Sequence, residues 1–392
     1  MGRSGDSNGR VGGKFQVQGH CSPRRLPNVT ASRSLLTSPI AKKLLRWYSA
    51  RRRSLTWRED PRPYAVWVAE IMAQQTRLES MLPYHRRWMK RFPTIEELAN
   101  SKEQDVLSLW EGLGYYSRAR NLRRSAQLIM KQHNGRLPDD VGSLLALPGI
   151  GRYTAGAIAS MAFAKDEPAV DGNAVRVLSR VFNVKDPVGS NRATKRFWAL
   201  AAKHLPKGRA ADYNQALMDL GASICRPRQP DCSACPLRRN CHSFALGVQG
   251  MRPVRQPAKS VPTKHFAAAV IQRRGRVLVL KRPVKGLLGG MWGFPNVVAS
   301  NPRGAKRALR RGLRKMLDLD LPSVKKVGQF EHTYSHFNAN LQVYGVDSNG
   351  RHFKIMFGHM HAWKPVSRLD ELPMGKLDRQ IARSLRDNAK NA

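Results

Sequence analysis

The run LPGIGRYTAGAI at residues 147–158 decides how the rest of the chain reads. Leu147-Pro148-Gly149-Ile150-Gly151 is a tight turn with two glycines, and an alanine-rich helix is expected to follow from Arg152 to Ala162. Glycine lets a backbone turn sharply. N–H groups exposed by Gly149 and Gly151 at a helix N-terminus make a seat for a phosphate. The local alternative stays open, because Pro-Gly before a helix is often a turn and nothing more. Outward from this run, residues 42–246 show helical patterning throughout, in short amphipathic stretches punctuated by Pro61, Pro83, Pro93, Gly135 and Pro206. Nothing there alternates with a period of two, and no internal repeat is present.

The 392 residues suffice for two domains with their own cores. Lys and Arg number 69 against 27 acids, a formal charge of +42, which calls for a polyanionic partner such as DNA or RNA. An anionic membrane surface is the bland competitor, but no apolar run of ~18 residues supports insertion. Four of the five cysteines fall between Cys225 and Cys241, so metal or cluster ligation in a reducing compartment fits better than a disulfide scaffold. Cys21 stands apart as an ordinary thiol. The first forty residues carry Arg3, Arg10, Arg24, Arg25 and Arg33 against the single acid Asp6, a composition that predicts disorder. An organellar transit peptide, a DNA-touching arm and a mis-assigned start would all look alike here.

Three further features carry chemistry. Cys225, Cys232, Cys235 and Cys241 sit in one short loop; four thiolates suit an iron–sulfur cluster, with structural zinc as the alternative. Arg226, Arg228, Arg238 and Arg239 among them offer phosphates a cationic edge. Asp171, in VDGN at residues 170–173, is the only charge between Glu167 and Arg176 and opens a helix, where an ordinary N-cap is the simpler reading. Glu70 is the sole charge between Arg62 and Arg77, amid Val66, Trp67, Val68, Ile71 and Met72. Burial there would raise its pKa and keep it protonated, as a general acid requires, unless it lies on the helix's exposed face.

After residue 246 the texture changes. Residues 247–263, with Pro253, Pro257 and Pro262, read as a linker. Two β-rich runs at 265–271 and 276–280 flank a hairpin signal at 272–275. A basic helical stretch at 302–316 precedes strand-like segments at 341–346 and 353–357. The expected organisation is a disordered tail 1–41, a helical domain 42–246, the linker 247–263, a smaller α/β domain 264–385 and a tail 386–392.

Five runs in this order carry a resemblance: VAEIMAQQT at 68–76, WEGLGYYSR at 110–118, LPGIGRYTAGAI at 147–158, VDGNAVRV at 170–177 and NQALMDLGASIC at 214–225. With the cysteine spacing, residues 42–246 resemble the helix–hairpin–helix DNA glycosylases, and more narrowly the MutY-type adenine DNA glycosylases. The resemblance implies a mainly α fold, a helix–hairpin–helix glycosylase domain with a [4Fe–4S] cluster loop, followed by a smaller α/β Nudix-like domain. It implies that Cys225, Cys232, Cys235 and Cys241 hold the cluster. Endonuclease III-type relatives carry a nucleophilic lysine where this chain has Tyr153 and lack an acid at the position of Glu70, so a monofunctional enzyme with weak or no lyase step is implied.

Carried over residue by residue, Gln75 and Tyr115 would wedge into the duplex while adenine rotates out. Glu70 would protonate N7 of adenine. Asp171 would stay ionised and stabilise the oxocarbenium-like sugar, directly or through a transient bond, with Tyr153 and Asn173 supporting it. The Gly149 and Gly151 amides would grip a phosphate. Residues 264–385 resemble the Nudix-like domain of MutY enzymes, yet residues 302–316 carry Arg303, Lys306, Arg307, Arg310, Arg311 and Arg314 and no acid, so Mg²⁺ binding there is implausible. Tyr334-Ser335-His336 matches the family's Phe-Ser-His loop for 8-oxoguanine, with Tyr in place of Phe. The implied partner is double-stranded DNA bearing A:8-oxoguanine or A:G mispairs, bound by a monomer without a membrane. Other mismatch glycosylases of the clan, or a non-catalytic damage-binding protein, remain alternatives. The compartment follows the source: cytoplasm or nucleoid in a bacterium, which the short linker favours, nucleus or mitochondrion in a eukaryote.

Overall fold

The computed structural model describes residues 38–256, 260–318, 324–348 and 360–390. The first expected tail lies outside them up to residue 37, as do the strand-like segment 353–357 and Cys21. Helix begins at Pro39 rather than at residue 42. Ser38 accepts a hydrogen bond from the Ala41 N–H at 3.2 Å, and Pro39 loses nothing at a position whose N–H has no helical partner. From Pro39–Arg51 to Ala210–Ser223 the described chain is a succession of helices.

They pack into two main apolar clusters, with a small third around Ala157, Ala169 and Met218. One gathers Trp67, Trp88, Phe92 and Trp110 around the helix Pro63–Ala73, in which Tyr64 through Met72 are all buried. The other joins Leu44, Phe197, Tyr213 and Leu217 to the helix Gly172–Val181. Each large aromatic side chain so buried stabilises the fold by about 3–5 kcal/mol relative to alanine. A cleft separates the two clusters. Pro83 was expected as punctuation, yet the helix Leu78–Arg91 runs through it. Met81, His85 and Trp88, spaced to bury one face, outweigh the one backbone bond that proline forfeits.

Beyond residue 246 the chain stays pinned to the helical half: the Val188 N–H donates to the Val254 carbonyl at 2.9 Å, and Arg180 Nε to the Arg252 carbonyl at 3.0 Å. Seven strands among the described residues then form one mixed sheet: β1 (Thr263–Arg273), β2 (Arg276–Lys281), β3 (Trp292–Gly293), β4 (Asn296–Ala299), β5 (Lys325–Thr333), β6 (Asn338–Asp347) and β7 (His361–Pro365). The order is β3-β2-β1-β6-β5, with β4 on β1 and β7 on β2; β1 and β6 run parallel and the other pairs antiparallel. The hairpin expected at 265–280 is β1–β2. Strands β3, β4, β5 and β7, and the helix Lys376–Lys390 that continues past residue 385, are additions to the expected pattern.

Side-chain alternation along β1 and β2 divides this half into two layers. Ala267, Ala269, Ile271, Leu278 and Leu280 meet the helix Ala305–Leu317, whereas Ala268, Val270, Val277 and Val279 meet Leu377, Ile381 and Ala382 of the C-terminal helix. That second layer docks on the helical half. Arg379 Nε and Nη2 donate to both Glu111 oxygens at 2.7 and 2.9 Å, and the Met374 N–H joins them at 3.0 Å. Trp292 Nε1 donates to Gln104 Oε1 at 2.7 Å, and Met291 enters the helical core itself.

Removing Glu111 leaves the largely buried Arg379 guanidinium short of a bidentate acceptor. Glu111→Ala should cost about 2 kcal/mol, below the ~3–5 of a fully buried pair because Asp370 still faces Arg379. Urea denaturation measures it, and an unchanged midpoint would contradict the docking geometry.

Candidate active site

Glu70 is buried at the cleft wall, 7% exposed, although it is the one charge of its helix. Its Oε2 accepts a 2.5 Å hydrogen bond from the Tyr153 hydroxyl. Burial pushes the Glu70 carboxyl up, nearby Asp171 adds to the rise, and the Tyr153 bond and Arg58 charge only partly oppose it. Tyr153 was expected to support Asp171; its hydroxyl instead bonds Glu70, because Tyr153 in the first turn of the helix Arg152–Phe163 faces the Pro63–Ala73 helix packed against it.

Asp171 lies across the cleft as the N-cap of Gly172–Val181. Its Oδ1 accepts the Ala174 N–H at 2.7 Å and its Oδ2 the Asn173 Nδ2 at 2.8 Å. The capping role weighed from the sequence is therefore real, and it fixes the carboxylate in place. Burial raises this carboxyl too, while the Ala174 and Asn173 donors and the Arg176 charge pull against it. Asn173 is held in turn by Arg176 Nη2 at 2.6 Å, and Arg176 also donates to the carbonyls of Gly221 and Cys225, both at 2.7 Å. Gly221 is required here, since a Cβ would stand 2.6 Å from the Asn173 Cβ.

The cleft holds about 870 Å³ and is lined by Arg53, Arg58, Glu70, Gln75, Tyr153 and Asp171, among others. Two of these were not singled out from sequence. Arg58 donates to both oxygens of buried Asp219 at 2.8 and 3.0 Å, and Arg53 Nε to Oδ1 at 2.9 Å. Burial would lift the Asp219 carboxyl, but these two arginines hold it below the ordinary range. The signal was an acid at 219 set directly among Leu217, Met218 and Leu220, much as Glu70 is set among apolar neighbours.

Gln75 and Tyr115 are exposed at the rim, in left-handed backbone at φ 55° and 47°. Non-glycine residues persist there only when their surroundings hold them. Arg118 does so. Its Nη1 donates to the carbonyls of Ile71, Met72 and Gln74 at 2.9, 3.0 and 2.5 Å, and its Nη2 to those of Leu113 and Gly114 at 3.1 Å each. Its place on the apolar side of the helix Ser117–Gln132, beside Leu122, Ser125 and Ile129, was the overlooked clue. Burial lowers its pKa to about 10, so it stays charged at neutral pH.

At the turn, Gly149 adopts φ 84°, the sharp bend expected of it, and a Cβ there would stand 2.9 Å from the Asn121 Cβ. Gly151 differs: it is the N-cap at φ −95°, and a Cβ there would meet only open space. Both glycines are exposed at the start of a 12-residue helix. The loop Tyr334-Ser335-His336 joins β5 to β6. Tyr334 is half-buried against His332 and Phe337, with ring centroids 4.6 and 4.9 Å apart, so the loop exposes Ser335 and His336. Ser335 Oγ hydrogen-bonds the Tyr115 hydroxyl across a groove of about 690 Å³ between the two halves.

All four cysteine thiols line one small cavity behind the helix Gly172–Val181. Arg180 Nη1 approaches Cys225 Sγ at 3.3 Å, and Cys241 Sγ donates to the Arg180 carbonyl at 3.4 Å. Four sulfur donors around one space, with a guanidinium beside them, fit an iron–sulfur cluster. Arg226, Arg228, Arg238 and Arg239 are exposed around them.

Residues 68–203 match the HhH-GPD superfamily of base excision DNA repair proteins, and residues 266–384 the NUDIX domain. Curated adenine DNA glycosylases are similar over most of the chain. The human protein is 34% identical over 79% of this chain and 67% of its own length. One from Buchnera aphidicola of Acyrthosiphon pisum is 33% identical over 75% and 82%. The Arabidopsis thaliana relative is 34% identical over 78% of this chain, which spans 57% of that protein. Among the described residues no helix is long and apolar enough to cross a membrane.

Two outcomes test this geometry. Tyr153→Phe removes a donor that stabilises ionised Glu70, so the Glu70 carboxyl should titrate at still higher pH, read by carbon-13 NMR of labelled glutamate; a downward shift would refute the bond. Arg118→Met should cost about 3 kcal/mol or more, since it strips donors from several carbonyls at about 1 kcal/mol each. A melt matching the parent protein would show those carbonyls to be otherwise satisfied.

Proposed function

Because this chain belongs to the adenine DNA glycosylases, we propose that it removes adenine mispaired with 8-oxoguanine or guanine by hydrolysing the N-glycosidic bond. The observation that carries the reading is the pair of carboxyl groups facing one cleft with opposite support. Glu70 has a single phenol donor in apolar surroundings, while Asp171 has two N–H donors that favour its anion.

An adenine rotated out of the stack would enter the cleft between the two clusters. Glu70, whose burial favours its protonated form, would give its proton to N7 as the C1′–N9 bond breaks and its electron pair leaves with the base. Asp171 would face the positive charge growing at C1′, and Asn173, fixed by Arg176, would keep it oriented. Water then adds to C1′ and returns a proton to the Glu70 carboxylate, leaving free adenine and an abasic site. With Tyr153 in the position of a nucleophilic lysine, no amine forms a Schiff base there, which supports a monofunctional enzyme with little lyase activity.

Gln75 and Tyr115 would fill the vacated stack, and the amides of the exposed Gly149 and Gly151 would hold a phosphate. Ser335 and His336, across from Tyr115, would face the base opposite adenine. Cys225, Cys232, Cys235 and Cys241 would hold a [4Fe–4S] cluster; when bound, it would cross-link the loop that Arg176 ties to Asn173. One polypeptide contains every one of these groups, so a monomer suffices.

Glu70→Gln should lower single-turnover base release from an A:8-oxoguanine duplex by about 10²–10⁴-fold, read by alkaline strand cleavage, with mispair binding retained. Equal rates, release of thymine instead, or no release by the parent protein would refute the reading. Borohydride should trap no covalent complex. Linkage adds a second signature. A raised carboxyl pKa favours the fold at low pH and forfeits that stability as pH rises through the folded value. Glu70→Gln should therefore match the parent in acid and exceed it in stability toward alkaline pH. Purified protein should be brown, with iron lost on Cys235→Ser.

A further inference from the structure

The helix Ala305–Leu317 carries Lys306, Arg307, Arg310, Arg311, Arg314 and Lys315, all exposed, and no acid. None of the six has an ion-pair partner among the described residues. At about 100° per residue they fill roughly half of the helix circumference. Ala305, Leu309, Leu313 and Leu317 fill the other side and are buried against β1 and β4. Like charges recur at the three- and four-residue spacings where side chains meet, so the bare helix repels itself. Lys306 and Arg307 also stand in its first turn, where the helix dipole disfavours cations.

We propose that this face is a second DNA-binding surface, gripping the phosphates of an undamaged duplex segment away from the excised base. Arginine forks match phosphate oxygens, and no acid within the helix competes for them. A bilayer is a poor occupant because every apolar residue of the helix is spent on the sheet, and membrane-surface helices need an apolar face to insert. Single strands are a poor occupant because this face offers no aromatic ring for base stacking. Its position separates it from the cleft. The helix packs on one sheet layer, whereas the C-terminal helix on the other layer carries the Arg379 contact to the glycosylase half. The inference therefore stands apart from the excision chemistry and would hold even if Glu70 had another role.

The test uses the full chain with Arg307→Gln, Arg310→Gln, Arg311→Gln and Arg314→Gln combined. Glutamine keeps helix propensity and relieves the repulsion, so folding should persist. Binding to a short undamaged DNA duplex should weaken at least about tenfold at low salt, and the slope of log K against log salt should fall by about 3–4, near 0.9 for each phosphate no longer neutralised. Single-turnover adenine release from a saturating mispaired duplex should stay unchanged. The matching four-lysine variant should bind as the parent does. An unchanged salt slope would overturn the proposal, as would a fall in base release in step with affinity. A deficit seen only with anionic phosphatidylserine vesicles, single-stranded DNA or double-stranded RNA would overturn it equally.

Discussion

The guanidinium of Arg118 is the interaction on which the shape of the site depends. A helix ending at Ala73 leaves its last carbonyls without helical donors, and the loop after Trp110 adds carbonyls of its own. One planar cation with five N–H groups reaches both sets at once, with Ile71, Met72 and Gln74 on one side and Leu113 and Gly114 on the other. Burying that charge is expensive, and its lowered pKa records the cost. In return the loops bearing Gln75 and Tyr115 are held together in backbone that neither residue would choose alone. The two rim side chains thus form one rigid edge instead of two independent loops.

Behind that edge, burial makes two carboxyl groups unlike each other. Glu70 and Asp171 both lose water, yet Asp171 recovers two donors from its own helix start while Glu70 recovers one phenol. The difference comes from secondary structure: an aspartate at an N-cap is solvated by backbone amides, and a glutamate in mid-helix is not. Arg176 extends the support outward, linking Asn173 to the carbonyl of Cys225. The cysteine loop is thereby mechanically continuous with Asp171, although none of its four thiols lines the cleft.

Much of this was legible in the chain because each feature broke a local pattern. Glu70 interrupts an apolar helix, Gly149 demands a left-handed turn, and four cysteines crowd one loop. Asp171 was ambiguous from sequence because capping and charge placement call for the same residue, and here one side chain does both. What could not be read was pairing. Nothing local says that Tyr153 bonds Glu70 rather than Asp171, that Arg58 finds Asp219 at a separation of 161 residues, or that Glu111 meets Arg379. Propensity also misled at Pro83, where packing of Met81, His85 and Trp88 overrides the breaker. Strand β7 escaped notice because its five residues, HAWKP, are half-exposed and lack alternation.

The pairing across the two halves carries the larger consequence. Met291 in the helical core, Trp292 on Gln104 and Arg379 on Glu111 leave little freedom between the halves, so the turn holding Ser335 is registered against Tyr115. Tyr334 reinforces this by turning inward onto His332 and Phe337, which anchors the turn and presents its two polar neighbours. Any base held in the interdomain groove must therefore be compatible with Tyr115, and Tyr115 shares Arg118 with the helix that bears Glu70. Under the proposed function, identity of the opposite base is sensed at one end of this chain of hydrogen bonds and protonation of adenine occurs at the other. No moving lid is needed to connect them, because each link joins elements already fixed by packing.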